Sequence, residues 1–147
     1  MKDKIGEAKD IVNELLVDIF NRILIIEAEF MKKENVKLSM NEIHVLEAIE
    51  KVHEPSMSNI AKKLHITVGS LTTAINTLYQ KKYVKRERDS DDRRKVIIQL
   101  TDLSYEVLEK HEEFHEQMID SIFKELNVGE DQVLIESLRN LSSFFSR

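Results

Sequence analysis

Apolar positions along this chain fall mostly at spacings of three and four, the mark of helices that bury one face, with one short stretch where they alternate. Ile5, Ala8, Ile11, Val12, Leu15, Leu16, Ile19, Phe20, Ile23 and Ile26 predict a single long helix from Ile5 to about Met31. Its stripe is wider than one neighbouring helix requires, which predicts packing on a partner subunit as well as on the chain's own core. Ser39, with Glu42 three residues on, predicts a capping box; Met40, Ile43, Leu46 and Ile49 of the helix it opens face inward. That helix breaks at His53-Glu54-Pro55, which holds the only proline.

Two shorter helices follow. Ser58 is expected to cap Asn59 to Leu64, with Ile60, Ala61 and Leu64 apolar. A turn at His65-Ile66 leads to Thr67, which caps a helix from Val68 to about Lys82. In that helix Leu71, Ile75 and Leu78 form the buried line. Gly69, Thr72, Thr73 and Asn76 form an opposite face of small polar residues, mediocre helix formers with no stabilising reason to be there. Tyr83–Glu87 and Lys95–Leu100 then predict two strands around the charged turn 88–94, a hairpin placed where a wing belongs. Thr101-Asp102 is expected to cap a long helix to about Leu126, and a last helix runs from Glu130 to Phe145 after the break at Asn127-Val128-Gly129. The predicted fold is mainly α with a small β-hairpin wing, a winged helix-turn-helix with a helical dimerisation region.

Composition narrows the function. The 147 residues suit one domain, and 41% apolar with 33% charged residues suit a packed core under a solvated surface. No apolar run is long enough to span a membrane and the N-terminus lacks a signal peptide's apolar stretch, so a cytoplasmic location is expected. Cysteine is absent, which removes disulfides and thiol chemistry. The net charge of −5 hides an asymmetry: residues 56–100 carry ten Lys/Arg against four Asp/Glu, +6, and the remainder carries −11. A basic middle between acidic ends is the distribution of a face that meets a polyanion. No phosphate-cradling glycine loop, nucleophile elbow or HExxH motif occurs, and no enzyme is expected.

The wing Asp89-Ser90-Asp91-Asp92-Arg93-Arg94, followed by Val96-Ile97-Ile98-Gln99-Leu100-Thr101, resembles that of the MarR family of transcriptional regulators. Residues 57–64 and 78–86 also follow that family's usual pattern, and the resemblance covers nearly the whole chain in element order. Residues 20–27, 42–44, 67–73 and 111–115 are similar to the FabT-type branch, the repressors of fatty-acid synthesis in Gram-positive bacteria. The resemblance implies a homodimer on double-stranded DNA, with residues 1–38 and 101–147 as the dimerisation region around a DNA-binding unit at 39–100, all one intertwined structure. The branch implies a long-chain acyl group on acyl carrier protein as corepressor, no other cofactor and no membrane. The alternatives are a zinc-responsive regulator and a stress or drug regulator with a small-molecule effector.

On this reading Ser58, Lys62, Lys81, Lys82, Arg86 and Arg88 face phosphates, and Thr67, Val68, Gly69, Ser70, Thr72, Thr73 and Asn76 read the major groove. No Arg or Lys lies between Thr67 and Gln80, so the usual grip on guanine is missing from the helix; methyl groups for thymine and Asn76 for adenine predict an A·T-rich inverted repeat. Arg93 and Arg94 are placed for a narrow minor groove, with Asp89, Asp91 and Asp92 bracing the turn. An acyl chain is expected among Ile23, Ile26, Phe30, Ile43, Leu46, Val107 and Phe114, with His44 and His111 near the mouth. His111 and His115, four apart on one helix face, are candidate metal ligands. In the zinc-responsive branch a comparable pair joins Cys and acidic ligands, for which Glu27, Glu29, Glu42 and His44 are only partial substitutes.

Overall fold

A computed structural model describes residues 3–147. They form two compact units, one ending at His111 and one spanning Glu112–Arg147. In the first, residues 4–33 are helical without a break, as the apolar spacing predicts, but not uniformly α. An α-helix α1 (Lys4–Asn13), capped by the Asp3 carboxylate at Gly6 N–H (2.7 Å), passes through a π-helical segment (Glu14–Ile19) into α2 (Phe20–Lys33). Helices α3 (Met40–Lys51), α4 (Met57–Leu64) and α5 (Val68–Gln80), then strands β1 (Val84–Arg88) and β2 (Val96–Leu100), complete the body. Helix α6 (Asp102–Leu126) runs through the boundary between units; a 3-10 turn (Val128–Glu130) and α7 (Gln132–Phe145) follow it.

The core of the first unit is built from the expected stripes. Ile43, Leu46, Ile60, Leu71, Ile75, Leu78 and Ile98 are wholly buried, joined by Met31, Val84, Val107 and Leu108. Ser39 and Glu42 form the reciprocal capping box, each backbone N–H bonded to the other's side chain at 3.2 Å. The turn between α4 and α5 is made by His65 in the left-handed region (φ 55°), with Ile66 N–H returning to the Ala61 carbonyl at 3.0 Å. The same closure ends α5, two residues before the expected Lys82, which sits at φ 68° while Tyr83 N–H reaches Leu78 O at 2.9 Å.

One expected cap moves, and another keeps its position without using its side chain. The cap of α4 is Ser56, not Ser58: the Ser56 hydroxyl accepts from Asn59 N–H (3.2 Å), and Ser58 lies exposed in the first turn. Tertiary contact decides between two serines of equal local merit. Pro55 O accepts from Ile98 N–H (2.9 Å) and Ser56 bridges Ile97, so this segment is pinned extended along the free edge of β2 and the helix must start directly after it. Thr101 does not cap α6 with its side chain. Its hydroxyl donates to the carbonyls of Lys82 (2.8 Å) and Tyr83 (3.2 Å), and the wholly buried Ser104 hydroxyl also donates to Tyr83 O. Those bonds fasten the start of α6 to the base of the hairpin. In the second unit Asp131 caps α7 by accepting from Leu134 N–H (3.0 Å).

Candidate nucleic-acid interface

Helix α5 separates its two faces as the pattern requires. Leu71, Ile75 and Leu78 are wholly buried, while Thr67, Val68, Gly69, Ser70, Thr72, Thr73 and Asn76 are exposed. The Thr67 hydroxyl accepts from Ser70 N–H (3.1 Å) and donates to Ser70 Oγ (3.0 Å), fixing the first turn. The Thr72 hydroxyl donates to Val68 O (2.8 Å), and that of Thr73 to Gly69 O (3.5 Å). With the hydroxyl hydrogens spent on the helix, these threonines offer a base edge a methyl group and an acceptor lone pair. Gly69 needs no glycine for packing, since an added Cβ would meet only Thr67 Oγ1, at 3.9 Å. Packing of this chain therefore does not require glycine at position 69.

The hairpin pairs Val84 with Leu100 through Arg88 with Val96, antiparallel. Its acidic turn residues do the bracing expected of them. Asp89 Oδ1 accepts from Asp91 N–H (3.3 Å), Asp92 Oδ1 from Arg94 N–H (3.0 Å), and Arg88 Nη1 donates to the Arg93 carbonyl (3.0 Å). Arg88 therefore holds the turn that presents Arg93 and Arg94. The Arg94 side chain is 98% exposed and only loosely related to Asp92, at 3.9 Å. Arg94 and Ser58 line one open cleft of about 650 Å³ between the start of α4 and the wing, together with Glu54, Asn59 and Lys95.

The basic residues divide by what answers their charge. Lys81 donates to both carboxylate oxygens of Glu42 (3.0 and 3.3 Å). Partial burial acts to raise the Glu42 pKa, but the bonds from Lys81 and Ser39 outweigh it and hold the carboxyl below its ordinary value. Lys95 pairs with Glu54, whose hydrogen bond raises the lysine pKa. Arg86 instead donates Nη2 to Asn76 Oδ1 and lays its guanidinium over the Tyr79 ring, 4.9 Å from the centroid. Lys62 and Lys82 are exposed. The Glu42–Lys81 and Arg86–Asn76 pairs, 39 and 10 residues apart, had no local signal.

The residues expected to line an acyl cavity differ in their surroundings. Ile43, Leu46 and Val107 belong to the packed core, Phe30 lies half-buried against it, Ile23 is half-buried, and Ile26 is 46% exposed. Phe114 is buried, its ring edge-on to His115 at 5.5 Å, both in the second unit. Of the two histidines singled out as metal candidates, His111 has further donor groups gathered around it. His111 of α6 is joined by Glu27 of α2 and by His44 of α3, with donor atoms all within 4.8 Å of one another. His111 Nε2 meets Glu27 Oε1, and Glu47 Oε1 stands 2.6 Å from Nδ1. Burial lowers the His111 pKa, but the adjoining Glu47 and Glu27 carboxylates more than reverse this and raise it. Glu47, three residues from His44, is the member that residue reading missed.

Comparison with known proteins places this geometry. The MarR family profile matches residues 38–96. The regulator YwhA of Bacillus subtilis is 29% identical over 87 residues, 59% of this chain, which spans 63% of that protein's length. ZitR, a transcriptional regulator of Lactococcus lactis, is 30% identical over 112 residues, 76% of this chain and 74% of its own. The crystal structure of Streptococcus pneumoniae FabT in complex with DNA superposes with a TM-score of 0.81 at 30% identity, over 94% of this chain and 97% of that one.

Proposed function

The chain belongs to the MarR family, and from that premise we propose that it represses transcription as a homodimer on an A·T-rich inverted repeat, in the service of fatty-acid synthesis. As a family member it is a non-catalytic, DNA-binding regulator of transcription that works as a dimer. No helix of the described residues is long and apolar enough to cross a membrane. The observation that carries the reading is the outer face of α5, where Val68, Gly69, Ser70, Thr72, Thr73 and Asn76 stand exposed opposite the buried Leu71–Ile75–Leu78 line, with the Thr72 hydroxyl bonded back to Val68 O. Set in the major groove, Val68, Thr72 and Thr73 would meet thymine methyl groups while the Gly69 backbone comes close. Arg93 and Arg94 would enter the adjoining minor groove, where a narrow A·T tract concentrates negative potential. Ser58, Lys62, Lys82 and the start of α4 supply phosphate contacts.

Residues 1–38 and 101–147 serve in this reading as the dimerisation region. Leu15, Leu16, Phe20, Phe123, Phe144 and Phe145 are each more than 40% exposed, too much apolar surface for an unpartnered chain. The link to fatty-acid synthesis, and with it acyl carrier protein bearing a long-chain acyl group as corepressor, rests on the resemblance of residues 20–27, 42–44, 67–73 and 111–115 to the FabT-type branch, and the likeness to FabT bound to DNA supports it. The acyl chain would have to part the contacts of Phe30, Ile43 and Val107.

A second reading, metal response, is favoured by the Glu27–His44–His111 cluster. Two imidazoles and a carboxylate form a donor set that suits zinc, which when bound would displace the proton between Glu27 and His111 and lock α2, α3 and α6 together. Anisotropy titration of A·T-rich inverted-repeat duplexes, with acyl-loaded carrier protein or with zinc, separates the two. Tightening by the acylated carrier, and not by the unacylated one, is the expected result. A response to zinc alone moves the assignment to the second reading, and indifference to both defeats the acyl proposal.

A further inference from the structure

The recognition helix has no guanidinium of its own, yet the fold brings one to it. Arg86, on β1, reaches across to α5 and is held there by two contacts, the Asn76 carbonyl oxygen and the Tyr79 ring at 4.9 Å. Neither partner is an anion. Among the described residues no carboxylate pairs with Arg86, in contrast to Lys81 with Glu42 and Lys95 with Glu54. Arg86 is therefore positioned without being neutralised, on the exposed side of α5 and one helical turn beyond Thr72 and Thr73.

This contact changes what Asn76 can read. An adenine contact needs the amide oxygen to accept from N6 while the amide nitrogen donates to N7. Here the oxygen already accepts from Arg86, which turns the NH2 group away from the guanidinium as a donor. The pair then offers mainly donors, the remaining guanidinium N–H groups and the amide nitrogen, with a single lone pair left on the amide oxygen. Of the four base edges in the major groove, guanine presents two adjacent acceptors, N7 and O6. Resting on the DNA-binding reading above, we propose that Arg86 and Asn76 form one composite head that selects guanine at a single position of each half-site, within otherwise A·T-rich sequence. Arg86 is the specificity determinant, and Tyr79 fixes its plane.

The test is selection from a randomised duplex pool by the full-length protein, followed by competition titrations on duplexes that differ only at the implicated position. Wild type is expected to prefer guanine there over adenine by about tenfold or more, the range of one good bidentate contact. Arg86→Ala frees the Asn76 oxygen and is expected to move the preference to adenine, with every other position unchanged. Arg86→Lys keeps the charge but loses the planar fork. It should weaken the guanine preference without moving it to adenine, while the dependence of affinity on salt stays as in wild type. Both substitutions are at an exposed side chain, and thermal unfolding checks that they fold. An unchanged base preference in Arg86→Ala, with only a shallower salt dependence, would make Arg86 a phosphate contact and overturn the proposal. A selected palindrome with no guanine in either half-site overturns it too, and leaves DNA binding standing. Enrichment of no sequence at all by wild type defeats the DNA-binding reading and this inference together.

Discussion

Gly69→Ala separates the demands of the fold from those of the proposed interface. An alanine methyl at this position meets nothing closer than Thr67 Oγ1 at 3.9 Å, an ordinary contact, and φ is not in the left-handed region. Alanine is the better helix former, and in the first turn of α5 the gain should be about 0.5 kcal/mol. That amounts to a rise of about 1–2 °C in Tm for a domain of this size. On DNA the sign reverses. If the helix backbone closes on the groove at Gly69, an extra methyl overpacks a fitted surface at about 1–3 kcal/mol per contact. A dimer makes the contact twice, so the loss is at least about 2 kcal/mol, or about thirtyfold in Kd. Differential scanning calorimetry and anisotropy on one operator duplex, at one salt concentration, measure both quantities. A variant that is more stable and binds as tightly as wild type would refute the close approach of α5. A variant that loses stability would refute the account of why glycine is there.

Arg94→Ala should leave Tm unchanged, because its side chain is 98% exposed, and should flatten the salt dependence of binding. Two wings per dimer remove about 1.8 from the log–log slope, so the wild-type advantage shrinks about twelvefold between 50 and 200 mM salt; parallel lines for the two proteins would exclude the wing from the interface. Lys81→Ala, whose charge is already matched by Glu42, should change that slope little. The stability contributed by His111 should be fully present below its ordinary value of about pH 6.5 and lost as pH rises through the elevated folded value, since its pKa is raised. In chelator, His111→Gln should abolish that alkaline loss of Tm, and unfolding curves that shift equally with pH in both proteins would rule the cluster out as its source. Leu16→Asp places a charge on the apolar arm and should turn the dimer into monomer by sedimentation, with DNA affinity lost in parallel; a stable dimeric variant would move the interface elsewhere.

The wing and the helix-turn-helix were legible residue by residue because their determinants are local. The buried line Leu71–Ile75–Leu78 follows from helical period, the His65 turn from chain geometry, and the Asp-rich hairpin from side chains that bond their own backbone two residues away. Charge asymmetry needed only counting. Local rules failed where two residues were equally eligible. Ser56 and Ser58 both suit a cap, and the choice fell to the pairing of Pro55 and Ser56 with β2. Thr101 is a good cap by type, yet its hydroxyl answers the carbonyls of Lys82 and Tyr83 instead.

Sequence by itself thus determined which elements form and which faces they bury, because hydrophobic period and capping act over a few residues. Only the tertiary structure decided which cations keep their charge available. Lys81 and Arg86 read alike along the chain, but packing sets one against Glu42 and the other against a neutral amide and an aromatic ring. Long side chains reach partners many residues away, so the electrostatic character of the site belongs to the fold and not to any segment of it.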